Sequence, residues 1–336
     1  MLNARIYRTA WLVAGVALIV ALLTLQSPPA APEPNLPVAF DGQAALEVAA
    51  ELEAVAPERA PGTGGGDRAA DWVRDQLSEL PGLEDRVQEQ EFSARADGRM
   101  VQMRNVYVVV PGDGNGATRP AILVVAPRDT PAGVASGASA TGLLVSLARQ
   151  WATTRQQRPI LFVSTDGSTV GNAGVRWFLS RFSQVPIEAA VVLDDPGART
   201  GDGVALWNWG RTPSGALGLA AVARASVERS GGDTDASPGL FAQAARLAVP
   251  QTFGDQGPAI DAGVPAVTIS ARPDSPPTSG PAPDVERMEF VGSVAADLVG
   301  SLDAAASVPA NAVWSQRRFG QRRVAPMNWR MRANSA

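Results

Sequence analysis

Four apolar runs set the frame of this chain. "AILVVA" (121–126), "PILFVST" (159–165), "EAAVVLDD" (188–195) and "VPAVTIS" (264–270) carry few polar residues except at their ends. Short runs that are apolar throughout, with no alternation, are what strands covered on both faces require. Between and after them the apolar residues return at intervals of three and four. "ASATGLLVSLARQW", "VGNAGVRWFLSRF", "PSGALGLAAVARASVERS" and "DVERMEFVGSVAADLVGSLDAAA" therefore predict amphipathic helices. Upstream, "QAALEVAAELEAV" and "DRAADWVRDQLSEL" have the same spacing, the latter with Ala70, Val73 and Leu77 on one face. "VQEQEFSAR" and "MVQMRNVYVVVPG", joined around "ADG", predict a hairpin. The order predicts a single three-layer α/β/α domain around a mostly parallel, mixed central sheet.

Both ends of the chain follow other patterns. Arg5 and Arg8 precede an uncharged apolar run from Ala10 to Leu25. As a helix this run rises ~24 Å, and Ile6, Tyr7 and Trp11 extend it through the membrane interface. A cleaved signal peptide is the competing reading, although Pro28 and Pro29 crowd the cleavage site. We expect residues 1–9 as a basic cytoplasmic N-terminus, 10–26 as a transmembrane signal anchor and 27–40 as a Pro-rich, semi-stiff linker. Residues 41–306 then form the α/β domain. Because the basic residues precede the span, that domain lies outside the cytoplasm, as in a single-pass membrane protein. Residues 307–336 are a tail in which Arg317, Arg318, Arg322 and Arg323 interleave with Trp314, Phe319 and Trp329. Such a tail suits an anionic lipid surface or an acidic partner, and equally a solvated extension.

Composition narrows the chemistry. The 336 residues, 45% of them hydrophobic, suffice for one large core, and a net charge of −4 gives no sign of nucleic acid as a partner. There is no Cys, which removes thiol catalysis, thiolate metal ligands and disulfides. There is no His, which removes the commonest general base and the commonest zinc ligand. Every basic side chain is an Arg.

In an open α/β sheet, ligands bind outside the carboxyl ends of the strands. Those ends read "APRDT", "STDGST", "LDDPG" and "TFGDQGPAIDAG", placing Asp129, Asp166, Asp194, Asp195 and Asp255 along one edge. Ser136, Ser139 and Ser168 fall in the facing loops, but a Ser nucleophile needs a base within reach. These hydroxyls are expected to cap the helices that begin there. The carboxylates could hold calcium or magnesium in an all-oxygen shell, form an Arg–Asp network with Arg128 as partner, or end as solvated loops. Asp129, at a turn, is expected to accept backbone N–H bonds. "ERSGGDTDASPGL" lacks the spacing of a calcium loop and reads as a turn with Ser237 capping the next helix.

These pieces, in this order, resemble the zinc aminopeptidases of peptidase family 28, which include bacterial leucyl aminopeptidases, glutaminyl cyclase and transferrin-receptor-like proteins. The resemblance runs from about Asp41 to Ala305. "GTGGGDRAADWVRDQLSELPGL" is similar to the family's early Gly-Ser segment and helix, and "RNVYVVVPG" to its "NVIAVLPG" strand. "ILVVAPRDT" stands where the family has a strand ending in His-x-Asp, and "SGASATGLLVSLARQ" where it has Gly-Ala-Asp-Asp-Asn-Ala-Ser-Gly. "RPILFVSTDGSTVGNAGVRWF" matches the strand ending in Glu-Glu-x-Gly-x-x-Gly, and "AVVLDD" the next Asp-bearing strand. "GDQGPAIDAGVPAVTIS" matches "SDHxPFxxAGIPAxxL".

Carried over residue by residue, the resemblance implies a degenerate site. The first His ligand becomes Pro127, the bridging Asp Ala138, the general-base Glu Ser168, the adjacent Glu ligand Thr169 and the last His Ile260. Asp129, which in the family orients the first His, and Asp194, which binds zinc, remain. One ligand of five is too few for zinc, and no base is left to activate water. The expectation is an inactive, membrane-anchored pseudopeptidase without a cofactor. It would serve as a binding or scaffolding module for peptide termini or a membrane-protein partner. The alternative is a hydrolase with an altered metal site, calcium or magnesium held by Asp129 and Asp194.

Overall fold

The computed structural model describes residues 8, 11–16, 33–34, 39–96, 98–113, 119–131, 138–198, 203–212, 214–235, 245–246, 248–275 and 282–308, and the backbone of 314–317 and 320–323. Its centre is a seven-stranded sheet in the order β1-β2-β4-β3-β5-β7-β6. The strands are β1 (Gln88–Ala96), β2 (Arg99–Val110), β3 (Ala121–Pro127), β4 (Ile160–Thr165), β5 (Ile187–Asp194), β6 (Ala205–Trp207) and β7 (Ala266–Ser270). The middle four, β4-β3-β5-β7, are mutually parallel; β2 and β6 join them antiparallel, and β1 pairs antiparallel with β2. Every residue of β4, and all of β3 except Pro127, is buried. The uninterrupted apolar runs are thus strands with both faces covered, as their pattern predicts.

The covers are helices α1 (Gly42–Val55), α2 (Gly64–Ser78), α3 (Ala138–Ala152), α4 (Ala173–Arg181), α5 (Leu217–Arg229), α6 (Gln256–Asp261) and α7 (Val285–Ala304). Helices α1, α3, α5 and α7 pack as one group and α4 with α6 as another. Three starts carry side-chain caps: Asp41 accepts from Ala44 N, Thr63 from Gly66 N and Asp284 from Arg287 N, each satisfying a backbone donor that the helix leaves open.

Where α3 crosses α1 there is no room for a side chain. A Cβ on Gly142 would lie 2.5 Å from the Ala45 carbonyl oxygen and 2.9 Å from the Ala49 Cβ. Gly142→Ala is expected to force the helices apart and to cost about 1–3 kcal/mol, read as a lower urea midpoint at unchanged slope.

Parallel register brings the functional edge together. Pro127 pairs with Thr165, and Asp194 with Ser270, so the carboxyl ends of β3, β4, β5 and β7 open on one side.

Some expectations need revision. β6 and α6 were not foreseen, and within the C-terminal tail β8 (Trp314–Arg317) and β9 (Gly320–Arg323) pair as an antiparallel hairpin. Arg317, Arg322 and Arg323 belong to that hairpin, whereas Arg318 and Trp329 lie outside the described residues, as do Ser136 and Ser237. Of the expected span over 10–26, residues 11–16 are helical and the remainder lies outside the described residues. Among the described residues no helix is long and apolar enough to cross a membrane.

Candidate functional site: a cleft with internally satisfied carboxylates

The carboxyl edge holds a cleft of about 590 Å³ whose wall includes Pro127, Asp129, Ser168, Thr169, Asp194 and Asp195. Four of the five acidic residues foreseen there accept hydrogen bonds or ion pairs through both oxygens, and Asp166 does so through one.

Asp129 is committed to the loop between β4 and α4. Its Oδ1 accepts from Ser168 N at 2.9 Å, and its Oδ2 accepts from Thr169 N at 2.9 Å and Thr169 Oγ1 at 2.7 Å. This is the turn role expected of it. The capping role expected of Ser139 and Ser168 is not seen, and Ser136 lies outside the described residues. Helix α4 begins only at Ala173, with Asn172 in the left-handed region (φ 60°) and no side-chain cap, while the Ser168 backbone N–H donates to Asp129. Ser139 lies inside α3, and its Oγ donates to Asp195 Oδ1 at 3.4 Å.

Arg128 is almost fully buried and turns back beneath β4. Its Nη1 donates to the Ser164 carbonyl at 3.0 Å, and its Nη2 to the Arg104 carbonyl and to Asp166 Oδ2 at 3.4 Å. The expected Arg–Asp contact exists, with Asp166 as the acid. Asp166 Oδ1 has no hydrogen-bond partner among the described residues. Burial outweighs Arg128 and raises the Asp166 pKa to about 6. Asp255, 2% exposed, accepts from Thr165 Oγ1 at 3.1 Å and Asn172 Nδ2 at 2.9 Å. Its burial raises its pKa to about 7.

The remaining pair is held by a residue that sequence reasoning missed. Arg272, just beyond β7, places Nη2 3.0 Å from Asp194 Oδ2 and 3.2 Å from Oδ1, with Nε 3.9 Å from Asp195 Oδ2. Ser270 Oγ also donates to Asp194 Oδ2, at 3.2 Å. Burial raises both carboxyl pKa values, and Arg272 opposes the shift. Asp195 itself sits at φ 43°, a conformation that costs a non-glycine residue energy and clusters at functional edges.

The positions carried over from the resemblance fall as follows. Pro127 lines the cleft. Ala138, the first residue of α3, packs with Ala49, Leu52 and Ala69. Ile260 does not reach the cleft: it is a core residue of α6. The register of Gly-Asp-Gln-Gly-Pro (254–258) against Ser-Asp-His-x-Pro instead puts Gln256 opposite the last histidine. Gln256 is fully buried; its Nε2 donates to Thr252 Oγ1 at 2.7 Å and its Oε1 accepts from Thr268 Oγ1 at 2.7 Å. The signal was present in the quoted motif.

This donor set does not fit zinc, which takes about four N, S or O ligands in tetrahedral array. The five positions offer a proline ring, a methyl group, a serine or threonine hydroxyl, an amide bonded on both sides, and Asp194, whose two oxygens already face Arg272 and Ser270. Among the described residues no three His, Cys, Asp or Glu side chains form a group able to hold a metal.

No protein-family model matches the chain, and no curated protein matches it in sequence. Solved structures do match. A glutaminyl cyclase from an Acidobacteriales bacterium superposes with a TM-score of 0.63 at 20% identity, over 83% of this chain and 99% of that one. The LapA aminopeptidase of Legionella pneumophila gives 0.58 at 16% identity, over 79% and 71%. A leucine aminopeptidase precursor from Bacteroides thetaiotaomicron gives 0.56 at 15%, over 79% and 98%. The chain has the fold shared by these glutaminyl cyclases and aminopeptidases, as its sequence resemblance implied.

Proposed function

We propose that this protein is a non-hydrolytic member of the aminopeptidase-like fold, a binding or scaffolding module whose cleft recognises a ligand without cleaving it. The observation that carries the reading is Arg272. Its guanidinium faces Asp194 at 3.0 Å and Asp195 at 3.9 Å, so fixed positive charge lies where the fold's enzymes would need a free carboxylate ligand. We further propose that the N-terminal apolar run anchors the chain in a membrane with the domain on the exoplasmic side. The Arg5 and Arg8 charges before the run support that orientation.

The competing reading places calcium or magnesium on Asp129 and Asp194. Both residues would first have to give up the bonds described above, five of them to protein donors at 3.2 Å or less. One experiment separates the two. Elemental analysis of the purified chain is expected to find no stoichiometric zinc, calcium or magnesium. Release of amino acids from unblocked peptides should stay at background with or without chelator. Chelator-sensitive release would overturn the proposal.

A further inference from the structure

The cleft has two guanidinium groups in its wall, and they are used differently. Arg272 is matched by Asp194 and Asp195. Arg211 makes no ion pair with a carboxylate among the described residues. Its Nη2 donates to Asn172 Oδ1 at 2.8 Å, and Asn172 is a buried neutral amide, 1% exposed. Asn172 is itself fixed through Nδ2 to the Phe253 carbonyl at 2.8 Å and Asp255 Oδ1 at 2.9 Å. The Arg211 backbone N–H is pinned by Asp261 Oδ1 at 3.0 Å. Arg211 is therefore held in place by contacts that leave its Nε and Nη1 donors uncommitted, and it makes no ion pair, among the described residues.

A second cation stands beside it. Arg176, exposed on α4, donates Nε to the Gly171 carbonyl at 3.1 Å and makes no ion pair among the described residues. Gly171 is part of the cleft wall. Burial first, and then the like charge of Arg176, lower the Arg211 pKa from its ordinary value, with Asp261 and Asp255 opposing the shift. Neither guanidinium makes an ion pair among the described residues, and the repulsion between them is offset at Arg211 by the more distant charges of Asp261 and Asp255. Guanidinium groups so placed are suited to a carboxylate, whose two oxygens match their donor geometry. The adjoining wall is apolar: Phe253 is 51% exposed, and Trp207 and Pro250 also line the cleft.

We propose that Arg211, with Arg176 at the rim, forms a carboxylate-binding subsite, and that the cleft takes a peptide by its C-terminal carboxylate with an apolar terminal side chain against Phe253 and Trp207. The proposal deepens the binding reading given above. It reverses the polarity of recognition expected from an aminopeptidase fold, since the group held is the acid end of the peptide.

Calorimetric titration of the full chain with N-acetyl-alanyl-phenylalanine, its C-terminal amide and inorganic phosphate tests it. The acid is expected to bind about ten- to a hundredfold more tightly than the amide, the range set by a charged hydrogen bond, and more tightly than phosphate. Arg211→Gln should abolish that preference and Arg176→Gln should weaken it, with Arg211→Lys in between. Should Arg211→Gln lower the urea midpoint, Arg176→Gln, at an exposed position, carries the same comparison. No detectable binding of the acid at millimolar concentration, equal binding of the amide, unchanged binding by both glutamine variants, or tighter binding of phosphate would each overturn the subsite. Acetylation blocks the amine that an aminopeptidase needs, so this result is independent of the hydrolysis assay. Loss of the acid preference removes the subsite and leaves the non-hydrolytic reading standing, and chelator-sensitive hydrolysis does the reverse.

Discussion

Arg272→Ala is expected to destabilise the folded domain by about 3 kcal/mol, near the lower end of what removing one partner of a buried ion pair costs. Asp194 and Asp195 are adjacent in sequence, 17% and 15% exposed in their side chains, and both draw on this guanidinium, itself 13% exposed. Without it, two carboxyl groups already raised by burial would be left, among the described residues, with Ser270 and Ser139 as neutral donors. Arg272 also donates to the Ser275 carbonyl and lies over the Trp207 ring, but the larger part of the penalty is uncompensated charge, and that part is reversible by chemistry. Adding Asp194→Asn and Asp195→Asn to the alanine variant should recover most of the loss, because neutral amides need no counter-ion. Arg272→Lys should fall between, since an ammonium supplies the charge without a planar fork. Urea midpoints of the four proteins at neutral pH measure this. If the alanine variant is as stable as the parent, or if the amide substitutions add to the loss instead of relieving it, Arg272 is not the cation that neutralises this edge.

Why Arg272 escaped a reading of the sequence while the frame around it did not is a matter of range. The strands β3, β4, β5 and β7 announce themselves locally, since a strand covered on both faces has to be apolar at consecutive positions. Once they are placed, the edge bearing Asp129, Asp166, Asp194, Asp195 and Asp255 follows from chain direction alone. The partners of those acids do not. Arg272 meets Asp194 across 78 positions, and Arg211 meets Asn172 across 39. Each contact depends on which strands are neighbours in the sheet. Asp166 was readable as an acid at a strand end, but its engagement by Arg128 required the side chain to turn back under β4. The error at Ile260 was of another kind: the Gly-Asp-Gln-Gly-Pro register already pointed to Gln256, and the apolar character of Ile260, now in the core, argued for packing from the start. β6 spans Ala205–Trp207, too short for any periodicity to register.

The pH dependence of stability should identify Asp255 as a buried acid that keeps its proton close to neutral pH. Its folded pKa of about 7 lies well above the ordinary 3.8, because burial disfavours the charged form by more than Asn172 and Thr165 favour it. A carboxyl group with a raised folded value binds its proton more tightly in the native state than in the unfolded one. Its contribution is thus fully present below about pH 4 and is lost as the pH rises through about 7. The full loss is of the order of 4 kcal/mol. Asp166, raised to about 6, acts in the same direction over a lower window. Asp255→Asn separates the two. An asparagine can accept from Asn172 Nδ2 through its oxygen and donate to Thr165 Oγ1 through its nitrogen, so both contacts of the floor survive while the titration disappears. Unfolding in urea at pH 5 and pH 8 should show the parent losing more stability across that interval than the variant, by roughly 3 kcal/mol for the part of the titration that falls inside it. The variant's residual slope would then report Asp166 together with Asp194 and Asp195, whose values burial also raises. Superimposable pH profiles would mean that Asp255 stays ionised in the folded protein, and that Asn172 and Thr165 stabilise a buried anion.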